Sequence, residues 1–374
     1  MNKKPLKLMI PGPIQPQPEV MAAMGSPVIA HYGENWLEIH NETIDLLRQV
    51  FGTTGDVFPV VASGSAGIDA CIGSAFSSGE KVLVGVNGFF GDRLQQIAES
   101  YGLQVIRVEA ALGRPLEAAQ FERAFQEHPD AVGALVVHLE TSTTIINPVE
   151  EIGPVVRSHG AIFFVDAVSS LGGLPFEMEK YTVDLCASAS QKCLGAPPGL
   201  APVAVSERGW EFIDRNPNKC HGWYTDLRVW RTYAVEWGDW HPSPVTMAVN
   251  NVLALRASLK LMQAEGMENR FEKYRRLALR LRCGLRSLGM QPYTADEQMA
   301  PVLTAAYGPP GVATTEIVKY LENGPGIKIS PGLGSLKNTI FRIGHMSPVL
   351  EEQDIDEVLE ALAGFKSNLG RKFN

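Results

Sequence analysis

Six short apolar runs, recurring between stretches of helical spacing, constrain this chain more than any other feature. They are Val57 to Val61, Lys81 to Val86, Gln104 to Val108, Ala134 to His138, Ala161 to Val165 and Leu200 to Val205. Each has the length and β-branched content of a strand. Strands that alternate with helices predict an α/β domain built on a largely parallel sheet. Helical steps begin after Tyr32, where Trp36, Ile39, Ile44, Leu47 and Val50 recur every three or four residues. The run Met247 to Ala264 has neither proline nor glycine and predicts a long helix bridging two domains. Beyond it the pattern changes to an Arg-rich helix, short strands near Val302 to Ala306 and Thr339 to Ile343, and a last helix from Glu351 to Leu362. That is the pattern of a smaller α+β domain. The proline-rich lead from Pro11 to Pro18 reads as an extended arm that joins it. The expected division is an arm over 1–16, a large domain over 17–255 and a small domain over 256–374, with no internal repeat.

With 374 residues, 45% of them hydrophobic, the chain can bury a large core. Its 33 Lys and Arg against 41 Asp and Glu give a net charge of -8, which argues against an overall field for nucleic acid or an anionic membrane. The basic stretch Arg275 to Arg286 carries Leu277, Leu279, Leu281 and Leu285 and reads as a solvated amphipathic helix. Cys71, Cys186, Cys193, Cys220 and Cys283 have no CxxC spacing, so neither a metal site nor a disulfide framework is expected. The segment Met1 to Pro13 lacks a signal-peptide core, Lys372 to Asn374 is no evident address signal, and no run reaches the roughly twenty apolar residues that span a bilayer. A cytoplasmic location is the expectation.

Three short motifs carry chemistry. Ser190-Gln191-Lys192 follows the apolar segment Val183 to Ala189. Burial lowers a lysine's pKa toward the range useful for Schiff-base chemistry, although the tripeptide alone fits a surface-loop lysine better, since most lysines are exposed. Ile162-Phe163-Phe164-Val165 ends in Asp166, at the strand end where α/β sheets bind ligands. Such a carboxylate either pairs with a protonated pyridine nitrogen or caps the next helix. Ser63-Gly64-Ser65-Ala66 follows another strand and opens a helical run, so its amides could hold phosphate, but it lacks the GxGxxG glycines. Phosphate loop, carboxylate and lysine occur in that order, the last two 26 residues apart. Together they point to pyridoxal 5'-phosphate.

With these pieces in place, the sequence resembles the class V aminotransferases of fold type I, especially the alanine-glyoxylate and serine-glyoxylate group. The resemblance covers nearly the whole chain. Its anchors are Pro11-Gly12-Pro13, Ser63-Gly64-Ser65, Asn87 to Gly91, Glu140-Thr141-Ser142-Thr143, Val165 to Ser170, Ser190-Gln191-Lys192, Ala196 to Gly199 and Phe341 to Gly344. It implies that Lys192 carries the cofactor and moves the substrate proton, and that Asp166 partners the pyridine nitrogen. It further implies that Phe90 stacks on the ring, where many relatives use Trp, and that Val168 touches the ring face. Ser63, Gly64, Ser65 and Ala66 match the phosphate loop, while Thr141 and Gln191 match polar cofactor contacts. Arg342 matches the arginine that holds the substrate carboxylate, a role suited to a bidentate donor.

The family is dimeric and sends a tyrosine and a threonine to the neighbouring subunit's phosphate. At those two positions this chain has Asp239 and Pro242, which leaves Ser243 or Thr246 as substitutes. Ala30-His31-Tyr32-Gly33 falls near the family's substrate entrance, so His31 and Tyr32 are candidate specificity residues, with a core role equally open. The implied activity is ping-pong transamination, with alanine or serine as donor and glyoxylate as acceptor. Pyruvate as acceptor and ureidoglycine or aminoethylphosphonate as donor stay open within the group. Cysteine desulfuration needs a thiolate on a mobile loop, and Cys193, next to the lysine, reads as a packing residue. A non-enzymatic regulator and a nicotinamide oxidoreductase are the remaining alternatives. The first usually adds a DNA-binding module, and the second needs a glycine fingerprint that is missing at Ser63.

Overall fold

The computed structural model describes residues 6–216 and 222–372, with side chains through 369; Cys220 lies outside them. The chain opens with β1 (Lys7–Leu8), α1 (Pro18–Met24) and α2 (Glu34–Phe51). Next come β2 (Asp56–Val60), α3 (Gly64–Ala75), β3 (Lys81–Val86), α4 (Phe89–Ser100), β4 (Gln104–Glu109), α5 (Ala118–Glu127) and β5 (Ala131–Val137). A short hairpin, β6 (Leu139–Glu140) and β7 (Ile145–Ile146), precedes α6 (Val149–Ser158), β8 (Ile162–Asp166), β9 (Leu185–Ala187) and β10 (Ala201–Val205). These strands, the hairpin apart, form a seven-stranded sheet in the order β2-β10-β9-β8-β5-β3-β4. Only β10 runs against its neighbours. The sheet strands β5, β8 and β10 are buried almost throughout, as a sheet covered on both faces requires.

Helices α7 (Glu207–Arg215) and α8 (Leu227–Glu236) lead to α9 (Val249–Glu265) and α10 (Met267–Ser287), the long helices read from the sequence. The smaller domain holds β11 (Leu303–Tyr307), α11 (Thr314–Asn323), β12 (Ile327–Lys328), β13 (Ser330–Pro331), β14 (Ile340–Gly344) and α12 (Glu352–Lys372). Its three-stranded antiparallel sheet runs β11-β14-β13, so β14 is central. The arm does not stay apart. β1 pairs in parallel with β12, and the Gly344 amide donates to the Met9 carbonyl at 2.9 Å. A cluster of Ile14, Leu139, Leu174, Tyr274 and Met346 then ties arm and both domains together.

Three details differ from expectation. Pro18 is not part of the extended lead but the first residue of α1, a position where its missing N–H costs nothing. The last helix runs to Lys372 rather than stopping at Leu362, because Phe365 still packs into the small-domain core. The basic face of α10 is not simply solvated. Arg276 pairs with Glu352 at 2.7 Å, Arg280 with Asp356 at 2.7 Å and Lys273 with Glu351 at 2.6 Å, all across to α12 or the residue before it. Among the described residues no helix is long and apolar enough to cross a membrane.

Candidate active site

The parallel strands bring their carboxyl ends to one edge of the sheet, and the reactive candidates collect there. Asp166 is the last residue of β8, and its carboxylate accepts a hydrogen bond from the Val168 amide at 2.9 Å. No helix follows it, so the helix-cap alternative does not apply. Burial pushes its carboxyl up to about 6, with the Glu140 charge adding to the rise and the Val168 amide, Lys192 and Arg93 opposing it. Lys192 lies in the turn beyond β9, largely buried, and its amine donates to the Pro11 carbonyl of the arm. The surface-loop alternative fails at this position. Burial pulls the amine down to about 8, helped by Arg342 and Arg93 and opposed by Cys193 and Asp166. At pH 8 about half of such amines are neutral, against roughly 1 in 300 for an ordinary lysine.

Gly12 makes this approach feasible. At φ +92° it holds a conformation that L side chains rarely adopt, and a Cβ there would stand 2.5 Å from Lys192 Cδ. Cys193, the next residue, is fully buried and donates its thiol to the Ser169 carbonyl at 3.3 Å. Burial pushes that thiol up to about 12, so it is a poor sulfur nucleophile.

Two helix starts flank the carboxylate. Ser63 occupies the N-cap of α3 without capping it, and the amides of Gly64 and Ser65 have no hydrogen-bond acceptor among the described residues. A Cβ on Gly64 would meet Val168 Cγ2 at 2.8 Å, so this loop lies directly against Val168. Ala66 continues the turn, its amide bonded to the Ser63 carbonyl at 2.9 Å. A small cavity between α3 and α4 is lined by Ser65, Phe90, Arg93, Asp166 and Val168.

The start of α4 is closed. Glu140, fully buried, accepts from the Phe90 and Gly91 amides at 2.9 and 3.0 Å, and Ser142 Oγ accepts from Phe89 N at 3.0 Å. The next residue, Thr141, offers its carbonyl to Arg342 Nη1 at 2.7 Å.

Arg342 stands on β14, 5% exposed. Its other bond is Nε to the Pro331 carbonyl at 3.0 Å, and it forms no ion pair among the described residues. The salt-bridge alternative is therefore not what holds it. Gln191 Oε1 is buried without a partner beside Lys192. A buried guanidinium without a carboxylate, an orphaned amide oxygen and an open helix start are costly in a finished protein and suit an anionic ligand. Together with Asp166 and Lys192 they fit a phosphorylated pyridine aldehyde.

His31, Tyr32, Ser243 and Thr246 lie outside this group within one chain. His31 meets His241 with ring centroids 5.0 Å apart, and Tyr32 meets Trp240 at 5.4 Å, in an exposed aromatic cluster. Burial, with His241 second, holds His31 below its ordinary pKa. Ser243 is buried with an unpartnered Oγ in a cleft with Arg48 and Trp230, and Thr246 is exposed. Sequence reasoning passed over Arg93, whose guanidinium lies 4.9 Å from the Phe90 ring centroid, and the capping role of Glu140. The second had a signal, an acidic residue inside a motif already singled out. The first had none.

A model of the family described as Aminotransferase class-V matches residues 18–356. The chain belongs to the class V aminotransferases. Membership implies pyridoxal phosphate as cofactor and transaminase chemistry. This class V aminotransferase is 38% identical to an uncharacterized aminotransferase of Methanocaldococcus jannaschii, over 95% of this chain and 90% of that one. It is 30% identical to the (S)-ureidoglycine–glyoxylate transaminase of Bacillus subtilis, over 97% of this chain and 90% of the relative. The crystal structure of an alanine–glyoxylate aminotransferase from Nostoc sp. superimposes with a TM-score of 0.93 at 31% identity, covering 97% of this chain and 96% of that one.

Proposed function

We propose that this enzyme transfers an amino group from a small amino acid, alanine or serine, to glyoxylate by a ping-pong cycle. The observation that carries the reading is a buried lysine whose amine is pulled down to about 8, close enough to the buried Asp166 carboxylate and to Arg342, which has no ion pair among the described residues, to feel the charge of both. When bound, the cofactor supplies the aldehyde that takes up amines and the ring that accepts electrons from the substrate carbon.

Lys192 both holds the cofactor and moves the proton. An amine with a pKa of about 8 is neutral often enough to accept a proton and basic enough to hold it briefly. Asp166 keeps a positive charge on the ring nitrogen. Ser63, Gly64, Ser65 and Ala66 would hold the phosphate at the open start of α3, and Phe90 and Val168 would contact the ring. Thr141 and Gln191 give polar contacts at the ring's edge. Arg342 grips the carboxylate shared by amino acid and oxo acid, which fixes the carbon to be deprotonated beside Lys192.

His31 and Tyr32 form the substrate entrance, and Ser243 or Thr246 complete the phosphate site of a second copy in a homodimer. The relatives named above support glyoxylate as acceptor, since two act on it by name. The proposed division remains 1–16, 17–255 and 256–374, and the proposed location is cytoplasmic.

Spectral titration of the cofactor-loaded enzyme tests the reading. Alanine or serine should convert the visible band of lysine-bound cofactor to the ultraviolet band of its amine form, and glyoxylate should restore it. If neither donor shifts the band while ureidoglycine does, the donor assignment is wrong. If no amino acid shifts it, transamination itself is wrong.

A further inference from the structure

A cleft of about 400 Å³ opens where α10 and the 296–301 segment face the large domain, and it shares no residue with the Lys192 group. Its walls are apolar on both sides. Leu174 and Pro175 come from the large domain, while Leu279, Met299 and Pro301 face them. Clefts of this size at domain boundaries, mostly apolar with a few polar groups, are where small ligands bind.

The polar groups decide which ligand. Arg282 is spent, its Nη2 on the Ala300 carbonyl at 2.6 Å, while Arg275, half exposed, gives one N–H to Glu272 at 2.9 Å. Asp296 is taken by Arg286 at 2.8 Å. Two of the three lining carboxylates are unpaired among the described residues, beside the Tyr181 hydroxyl. Glu150 and Glu297 line the cleft with no ion pair among the described residues. His138 lines it too, is 3% exposed, and its ring makes no hydrogen bond among the described residues, with Nδ1 buried and unpartnered. Burial holds this imidazole neutral down to about pH 4, so one ring nitrogen accepts and the other donates.

We infer that this interdomain cleft is a second ligand site, which takes a small organic ammonium with an apolar, ring-sized body. The body packs between Leu174 and Leu279, and the ammonium faces Glu150, Glu297 and His138. This site is independent of the reaction proposed above. His138 also ties the cleft to the catalytic group, because its amide donates to the Asp166 carbonyl at 2.9 Å.

Primary amines would also condense with the cofactor, so the probe is gramine, a tertiary arylalkylamine that cannot. Calorimetry on the holoenzyme should show one saturable site per chain and no change in the cofactor spectrum. Indole-3-acetate, the same ring with the opposite charge, should bind at least about tenfold more weakly, and joint Glu150→Gln and Glu297→Gln replacement should weaken gramine by roughly threefold to tenfold. Leu279 is 59% exposed, so Leu279→Trp fills the cleft from its rim without burdening the fold and should abolish binding. Equal affinity for the acetate, an unaffected double carboxylate variant, or binding that survives Leu279→Trp overturns the assignment.

Discussion

The starts of α3 and α4 flank the same cavity and use the same backbone device, yet they are finished in opposite ways. At α4 the chain supplies its own anion: Glu140 and Ser142 occupy the first three amides. At α3 the amides of Gly64 and Ser65 stay open, and the N-cap Ser63 makes no cap bond. A helix N-terminus favours negative charge in either case. α4 is an anchor that fixes Phe90 and Arg93, whereas the start of α3 has no acceptor of its own among the described residues, as the proposed phosphate site requires.

The comparison breaks most visibly at Glu140. Glu140→Ala should strip α4 of its acceptor and leave buried amides unpaired, at about 2–4 kcal/mol of stability in the cofactor-free protein. Denaturation of that form would show it, and an unchanged midpoint would mean water replaces the carboxylate. The opposite response is expected at α3. Gly64→Ala presses on Val168 and should raise the cofactor's dissociation constant roughly tenfold while leaving cofactor-free stability within about 1 kcal/mol. Equal losses in both forms would make α3 a structural start like α4.

Asp166 sharpens the contrast through pH. Its folded pKa of about 6 exceeds the ordinary 3.8 because burial disfavours the charge, so the folded state binds the proton more tightly between those values. Stability of the cofactor-free protein therefore falls as pH rises from about 4 to 6, and Asp166→Asn removes that fall. Above pH 6 the variant should be more stable by on the order of 1–3 kcal/mol while losing most cofactor affinity. A variant less stable at pH 7 would contradict this. The smallest effect is expected at Ser243, whose Oγ is buried and unpartnered in one chain. Ser243→Ala should be neutral or stabilising by up to about 1 kcal/mol in dilute monomer, and destabilising only where a second copy supplies a partner. Stability measured across protein concentration separates the two.

The fold was legible because its signal is periodic. Lys81 to Val86 coincides with β3, and the proline-free run from Met247 became α9, since period and length are local properties of a chain. The reversed direction of β10 was not legible, because strand direction is set by partners distant in sequence. Lys192, Asp166 and the Ser63 turn stood out because each follows an apolar strand. Arg93 did not, since its position over Phe90 depends on the pitch of a helix whose start is fixed by a residue about fifty positions away. His31 and Tyr32 were visible as unusual residues, but their joining with Trp240 and His241 is a tertiary fact.

The arm's dual attachment sets a timetable for synthesis. Residues 7 and 8 pair with 327 and 328, and the Pro11 carbonyl receives Lys192. At about 5–20 residues per second, the ribosome needs on the order of 15–60 s after making β1 before β12 exists. For only the last ~6–25 s of that interval, once β10 has been made, can the seven-stranded sheet be complete while Lys192 has no settled neighbour above it. The nascent chain therefore gains its reactive amine late, as one of the last parts of the molecule to be assembled.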